Sequence, residues 1–260
     1  MGTSSMYSGP KDNKLLPDNY LEPDNGQEKK ENPDDDKKLD PDAWKKTKNS
    51  MSKFINAKNG NKKNVMKKYA SANGGSKKMA SNATSGIKGV SGLGGLLNRI
   101  SSVGFENTLR EYNIDYKNKS INSIFSEFIN ILCPEANTKE EVAGRDALIE
   151  TLTELYEIIE KTGEDTAYFE ELDDNKFNFI INKYIENYIF AKFLNDLEYR
   201  AEKYAKNIDT VLQKEKDIKD FINYSVNNAT QNINFKSFNY RDIESIEKIY
   251  RDCYKIWEEE

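Results

Sequence analysis

From Phe177 to Tyr204 the sequence turns an apolar or aromatic side chain in almost every direction, with Ile180, Ile181, Tyr184, Ile185, Tyr188 and Ile189 followed by Phe190, Phe193, Leu194 and Leu197. A helix that is greasy all round has to be covered on all sides. The chain must therefore wrap further helices around this one, and the flanking sequence supplies them. Residues 120–132 line up Ile121, Ile124, Phe125, Phe128, Ile129 and Leu132 before Cys133-Pro134 ends the run. Thr138-Lys139-Glu140-Glu141 reads as a capping box, with Thr138 as N-cap and Glu141 reaching back. It opens a helix with Val142, Leu148, Ile149, Leu152, Leu155, Tyr156 and Ile159 expected inward and Gly163 as the stop. Residues 96–112 predict a helix interrupted near Gly104, and 208–226 and 240–257 predict two amphipathic ones. No heptad is sustained and no repeat occurs, so the expected class is all-α, an irregular helical bundle.

Upstream the pattern loosens. Asp40-Pro41 suits an N-cap and first helical position, ahead of Trp44, Lys48, Met51, Phe54 and Ile55 at helical spacing. Asn59-Gly60-Asn61 stops that helix, and a shorter one through Val65, Met66 and Tyr69 ends at Asn73-Gly74-Gly75. Residues 76–95 are Ala, Ser, Gly and Lys, closing with Gly86, Gly89, Gly92, Gly94 and Gly95. Such glycines could cradle a phosphate, but no strand precedes them and their spacing fits neither nucleotide fingerprint. The preferred reading is close approach of helices, or a flexible joint.

Composition removes whole classes of chemistry. The 260 residues contain no histidine, which excludes Ser-His-Asp and Cys-His catalysis and nearly all zinc sites. There is no Walker loop, and Cys133 and Cys253 cannot form a disulfide framework. No apolar run approaches the roughly 18 residues of a membrane span. A cytoplasmic protein with no catalytic residues, no metal site and no cofactor of its own is expected.

Charge is divided into blocks. Residues 1–40 hold six lysines and ten acids; residues 41–99 hold twelve lysines and Arg99 against Asp42 alone. The remainder carries the acidic balance of a chain whose net charge is −5. A basic block between acidic ones pairs with the acidic body or meets an anionic partner, nucleic acid included.

The first ten residues, Met-Gly-Thr-Ser-Ser-Met-Tyr-Ser-Gly-Pro, have almost nothing to bury, and a frayed terminus is their simplest reading. A small second residue also favours removal of Met1, leaving the Gly2 α-amine with a reference pKa of about 7.7–8.0. Leu15-Leu16-Pro17 is either a short docking anchor or a chance pair. Residues 18–39, with Pro23, Pro33 and Asp34-Asp35-Asp36, read as a disordered linker with a reach on the order of 30 Å. The expected organisation is a peptide (1–17), a disordered linker (18–39), a basic helical segment (40–95) and a helical bundle domain (96–260).

Three stretches together resemble the QatB family of the bacterial Qat anti-phage system. They are the opening decapeptide with Leu15-Leu16-Pro17, the Lys/Ala/Ser/Gly-rich region 50–97, and Cys133-Pro134-Glu135 followed by Arg145-Asp146-Ala147-Leu148-Ile149-Glu150-Thr151. The resemblance implies three partners: an ATPase (QatA), a QueC-like enzyme (QatC) and a TatD-like nuclease (QatD). QueC-like enzymes spend ATP to activate a 7-deazaguanine carboxylate and form an amide. The resemblance therefore implies Gly2 as acceptor of a 7-deazaguanine adduct. It also implies Thr3, Ser4, Ser5, Tyr7, Gly9 and Pro10, with Leu15, Leu16 and Pro17, as the peptide the partner recognises. The alternative is a helical adaptor that bridges ATPase and nuclease, or binds nucleic acid through residues 45–88.

Overall fold

A computed structural model describes residues 40–57, 60–117, 119–163, 167–204 and 208–259, with side chains described outside 198–208. The predicted peptide and linker, Gly2 included, lie outside the described residues. In chain order the helices are α1 (Ala43–Asn56), α2 (Lys62–Ala72), α3 (Gly75–Ser81), α4 (Thr84–Val103), α5 (Phe105–Glu111) and α6 (Ile121–Leu132). There follow α7 (Lys139–Thr162), α8 (Ala167–Glu170), α9 (Asp174–Tyr204), α10 (Ile208–Thr230), a 3-10 turn (Phe235–Ser237) and α11 (Ile243–Glu259). Among the described residues there is no strand, and no helix is long and apolar enough to cross a membrane. The class is all-α.

The all-round apolar stretch is the axis of the bundle. Phe177, Ile180, Ile181, Tyr184, Ile185, Tyr188 and Phe193 of α9 are all buried, because α7, α10, α1 and α4 pack around the helix. The core is continuous from Met51 through Leu97, Leu152 and Tyr184 to Trp257. Each large side chain it covers contributes roughly 1.5–3 kcal/mol of burial.

Local chemistry starts and stops these helices largely where the pattern predicts. The Thr138 hydroxyl accepts from the Glu141 N–H at 3.2 Å, and the Glu141 carboxylate accepts from the Thr138 N–H at 3.0 Å, which completes the capping box. Gly163 (φ 68°) ends α7 and Gly104 (φ 88°) separates α4 from α5, both in the backbone region that favours glycine. Other expectations are corrected. Helix α1 begins at Ala43, after a turn in which Asp40 accepts from the Asp42 N–H, so Asp40 caps the turn and not the helix. Val142 and Ile149 point outward, since the sides of α7 facing α9 and α4 are filled by Ala143, Ala147, Leu148, Thr151 and Leu152. The flexible joint, the alternative for the run Gly86–Gly95, has no counterpart, because α4 passes unbroken through all five glycines.

Candidate functional site

Helix α4 can lie close to its neighbours because its glycines leave room for tyrosine rings. A Cβ on Gly89 would stand 1.7 Å from the Tyr184 hydroxyl, one on Gly86 2.5 Å from the Tyr188 ring, and one on Gly94 2.0 Å from Tyr240. Gly144 of α7 fits against Ser85 in the same way, at 2.9 Å. These approaches bring the start of α4 against the α6–α7 connection. Between them lies a cleft of about 360 Å³ lined by Ser85 and Lys88 of α4, Cys133, Glu135 and Glu141 of the connection and α7, and Tyr184 of α9.

At the start of α4, beside this cleft, groups from three helices answer one another's unmet hydrogen bonds. Helix α4 has Ala83 at its N-cap, so its side chain offers nothing to the free N–H groups of the first turn. Glu140 of α7 supplies the missing acceptor: its carboxylate takes the Ser85 N–H at 3.2 Å, the Lys192 ammonium at 2.7 Å, and the Tyr188 hydroxyl. Negative charge at a helix N-terminus is favoured by the helix dipole as well. Lys192 also donates to the Asn82 carbonyl at 3.2 Å, and Tyr184 donates to the Ser85 carbonyl at 3.3 Å. Burial pushes the phenols of Tyr184 and Tyr188 far above their ordinary range, so both act as neutral donors.

The Cys133-Pro134-Glu135 turn is tied down from α7. The Arg145 guanidinium donates to the Cys133 carbonyl, one of the carbonyls α6 leaves free at its end, and to Asn130 Oδ1 at 3.0 Å. Burial raises the Cys133 pKa and outweighs the opposing Arg145 charge, so the thiol is not activated as a nucleophile. Cys253 is fully buried and raised further by the same cause. Two motifs that lie apart in the sequence thus build one feature: the C-P-E turn and the arginine that clamps it.

A second concavity of about 850 Å³ runs along the open side of α4, past Gly92 and Gly95, to Arg99, Tyr112, Phe238 and Arg241. Arg99 pairs there with Glu111 through a fork of two hydrogen bonds. Among the described residues no group of three or more Cys, Asp or Glu side chains is placed to hold a metal.

Gly2, Thr3, Ser4, Ser5, Tyr7, Gly9, Pro10, Leu15, Leu16 and Pro17 all lie outside the described residues. Conversely, Ser85, Glu140, Tyr188 and Lys192 gave no sequence signal as a unit. Glu140 reads as part of a helix start, and nothing local announces partners 48 and 52 residues away.

Fold and clefts define an all-helical bundle protein whose central helix is clasped by glycine-bearing and carboxylate-bearing neighbours. The profile of QatB, the Qat anti-phage system associated protein, matches residues 74–257, which take in both concavities and the Cys133 and Arg145 motifs. The chain belongs to the QatB family and is a component of an anti-phage defence system. No curated protein and no solved structure matches it.

Proposed function

We propose that this chain is the acceptor, not the catalyst, in a protein-modification step of the Qat system. Removal of Met1 exposes the Gly2 α-amine, and a QueC-like partner (QatC) joins it to a 7-deazaguanine acid. The partner first converts the carboxylate to an acyl-adenylate with ATP, releasing pyrophosphate. The neutral amine then attacks the acyl carbon, AMP leaves, and the nitrogen gives up a proton as the amide forms. Residues 3–17 are what the partner reads, and the helical body holds the complex together. The ATPase and nuclease of the system are its other expected partners, and the chain brings no cofactor of its own.

The observation that carries this reading is the family match over residues 74–257, set behind an opening of small residues that presents glycine next to Met1. Glycine is the least hindered acceptor, and its α-amine at about pKa 7.7–8.0 is far more often neutral at pH 7 than a lysine at about 10.4. Oriented capture of such an amine can lower a barrier by several kcal/mol. The test is peptide mass spectrometry after co-expression with the QueC-like partner. The 7-deazaguanine amide is expected on Gly2 in the wild type and absent from Gly2→Leu, which also blocks Met1 removal. An unmodified Gly2, or an adduct on Lys11 or Lys14, overturns the proposal.

A further inference from the structure

Charge on the surface of this protein is managed in two ways. From α5 to α11 many lysines are matched, although Lys117, Lys139, Lys216 and Lys248 form no ion pair among the described residues: Lys119 lies 3.7 Å from Glu127, Lys161 3.6 Å from Glu157, Lys192 2.7 Å from Glu140 and Lys255 3.4 Å from Glu259. On α1 and α2 six of them are not. Lys46 is held by Asp40, but Lys45, Lys48, Lys53, Lys62, Lys67 and Lys68 have no ion-pair partner among the described residues. Both helices spend their apolar sides on the core through Met51, Phe54, Ile55, Val65, Met66 and Tyr69, which leaves Lys45, Lys53 and Lys67 exposed and Lys48, Lys62 and Lys68 half-buried. The two helices lie side by side, fixed by Thr47 Oγ1 donating to the Lys68 carbonyl at 2.9 Å and Asn64 Nδ2 donating to Ser50 Oγ at 3.0 Å. The six cations therefore sit on two adjoining helices.

What kind of anion suits that surface follows from what it lacks. Protein interfaces are built around apolar and aromatic anchors and are depleted in lysine. Every large hydrophobic side chain that is exposed among the described residues lies beyond α4, from Tyr112 to Ile243. Trp44, the bulkiest aromatic of α1, is half-buried with its ring edge-on to Tyr69 at 5.9 Å, and is not free to stack on a base. A polar, strongly positive, non-stacking surface is the signature of contact with a phosphate backbone. The acidic body does not cancel it at a distance, since charges more than about 10 Å apart are largely screened at 0.1 M salt.

We infer that the α1–α2 face binds duplex nucleic acid through its phosphates, without regard to base sequence. This does not depend on modification of Gly2, and the two helices lie ahead of the segment matched by the family profile. The test is fluorescence anisotropy of a labelled duplex DNA of arbitrary sequence titrated with the full chain. Binding is expected to weaken by roughly two to three orders of magnitude between about 50 and about 200 mM salt, as four to six phosphates release their counterions. The variant K53Q/K67Q/K68Q is expected to bind at least about tenfold more weakly and to flatten the log–log salt slope by about 0.9 per lysine removed. The control K119Q/K161Q/K255Q removes the same charge from paired lysines and is expected to bind like the wild type, with circular dichroism verifying the fold of both. Absence of binding at low salt, an equal loss in the control, or preference for polyglutamate over the duplex would each overturn the inference.

Discussion

The α1–α2 face and the layer formed by α7, α9 and α10 use the same side chain for opposite ends. In the layer, Lys183 reaches Glu154 at 3.3 Å and Glu186 at 3.2 Å, while Lys219 reaches Glu154 at 3.1 Å. Asn223 adds a hydrogen bond to Glu186 at 2.8 Å, and the Glu186 side chain is only 4% exposed. Charge there fixes how three helices sit against one another. Among the described residues no carboxylate forms an ion pair with Lys45, Lys48, Lys53, Lys62, Lys67 or Lys68 of α1 and α2. A lysine's role is set less by its own position than by what the opposite helix carries.

That contrast can be broken by measurement, beginning where the effect is largest. Glu186→Gln leaves Lys183 with Glu154 alone and is expected to cost about 3 kcal/mol in urea unfolding, the low end for a buried pair losing a partner. A cost under about 1 kcal/mol would make the layer no different from an exposed surface pair. Next comes α4, which packs on both α7 and α9. Gly89→Ala forces a methyl group onto the Tyr184 hydroxyl and is expected to cost about 1–3 kcal/mol, and almost nothing further in a background that already carries Tyr184→Ala.

Acidity should separate the two regions as well. Burial raises the Glu154 pKa, but hydrogen bonding and charge from Lys219, together with Lys183, outweigh it, and the net shift is downward from 4.5. A depressed carboxyl stabilises the fold above its unfolded pKa, and that contribution is lost as pH falls through the lower, folded value. Glu154→Gln should therefore flatten the stability profile below about pH 4.5. Burial lowers the Lys183 pKa, but Glu186 and Glu154 outweigh it and raise it above 10.5, so its contribution holds below that pH and is lost as pH rises through the higher folded value. The smallest effect belongs to the open face, where Lys48→Gln with Lys67→Gln should move stability by no more than about 0.5 kcal/mol. A larger loss would show that those lysines are structural after all.

Much of this architecture was legible because it is written in local terms. The central helix showed in its all-round apolarity, the α7 start in Thr138 and Glu141, and the α4–α5 break in Gly104. Val142 and Ile149 were misplaced because hydrophobicity alone cannot tell which side of a helix its neighbours will occupy. The glycine series was legible as close approach but not as the bed for Tyr184, Tyr188 and Tyr240, since the partners lie far along the chain. The Glu140 cluster was hidden for the same reason. The expected acceptor peptide rests on the resemblance to QatB, not on any feature of the helical body.

Helix α3 shares the device seen at α4. Gly74 gives it no side-chain cap, and the first-turn Ser76 N–H is met by Glu258 of α11 at 2.8 Å, with the Ser76 hydroxyl donating to the same carboxylate at 2.7 Å. That acceptor lies 182 residues further along the chain. A seven-residue helix is too short to persist unaided in water. While the chain is being synthesised, α3 therefore waits. Its first turn gains that acceptor only after α11 has emerged and docked.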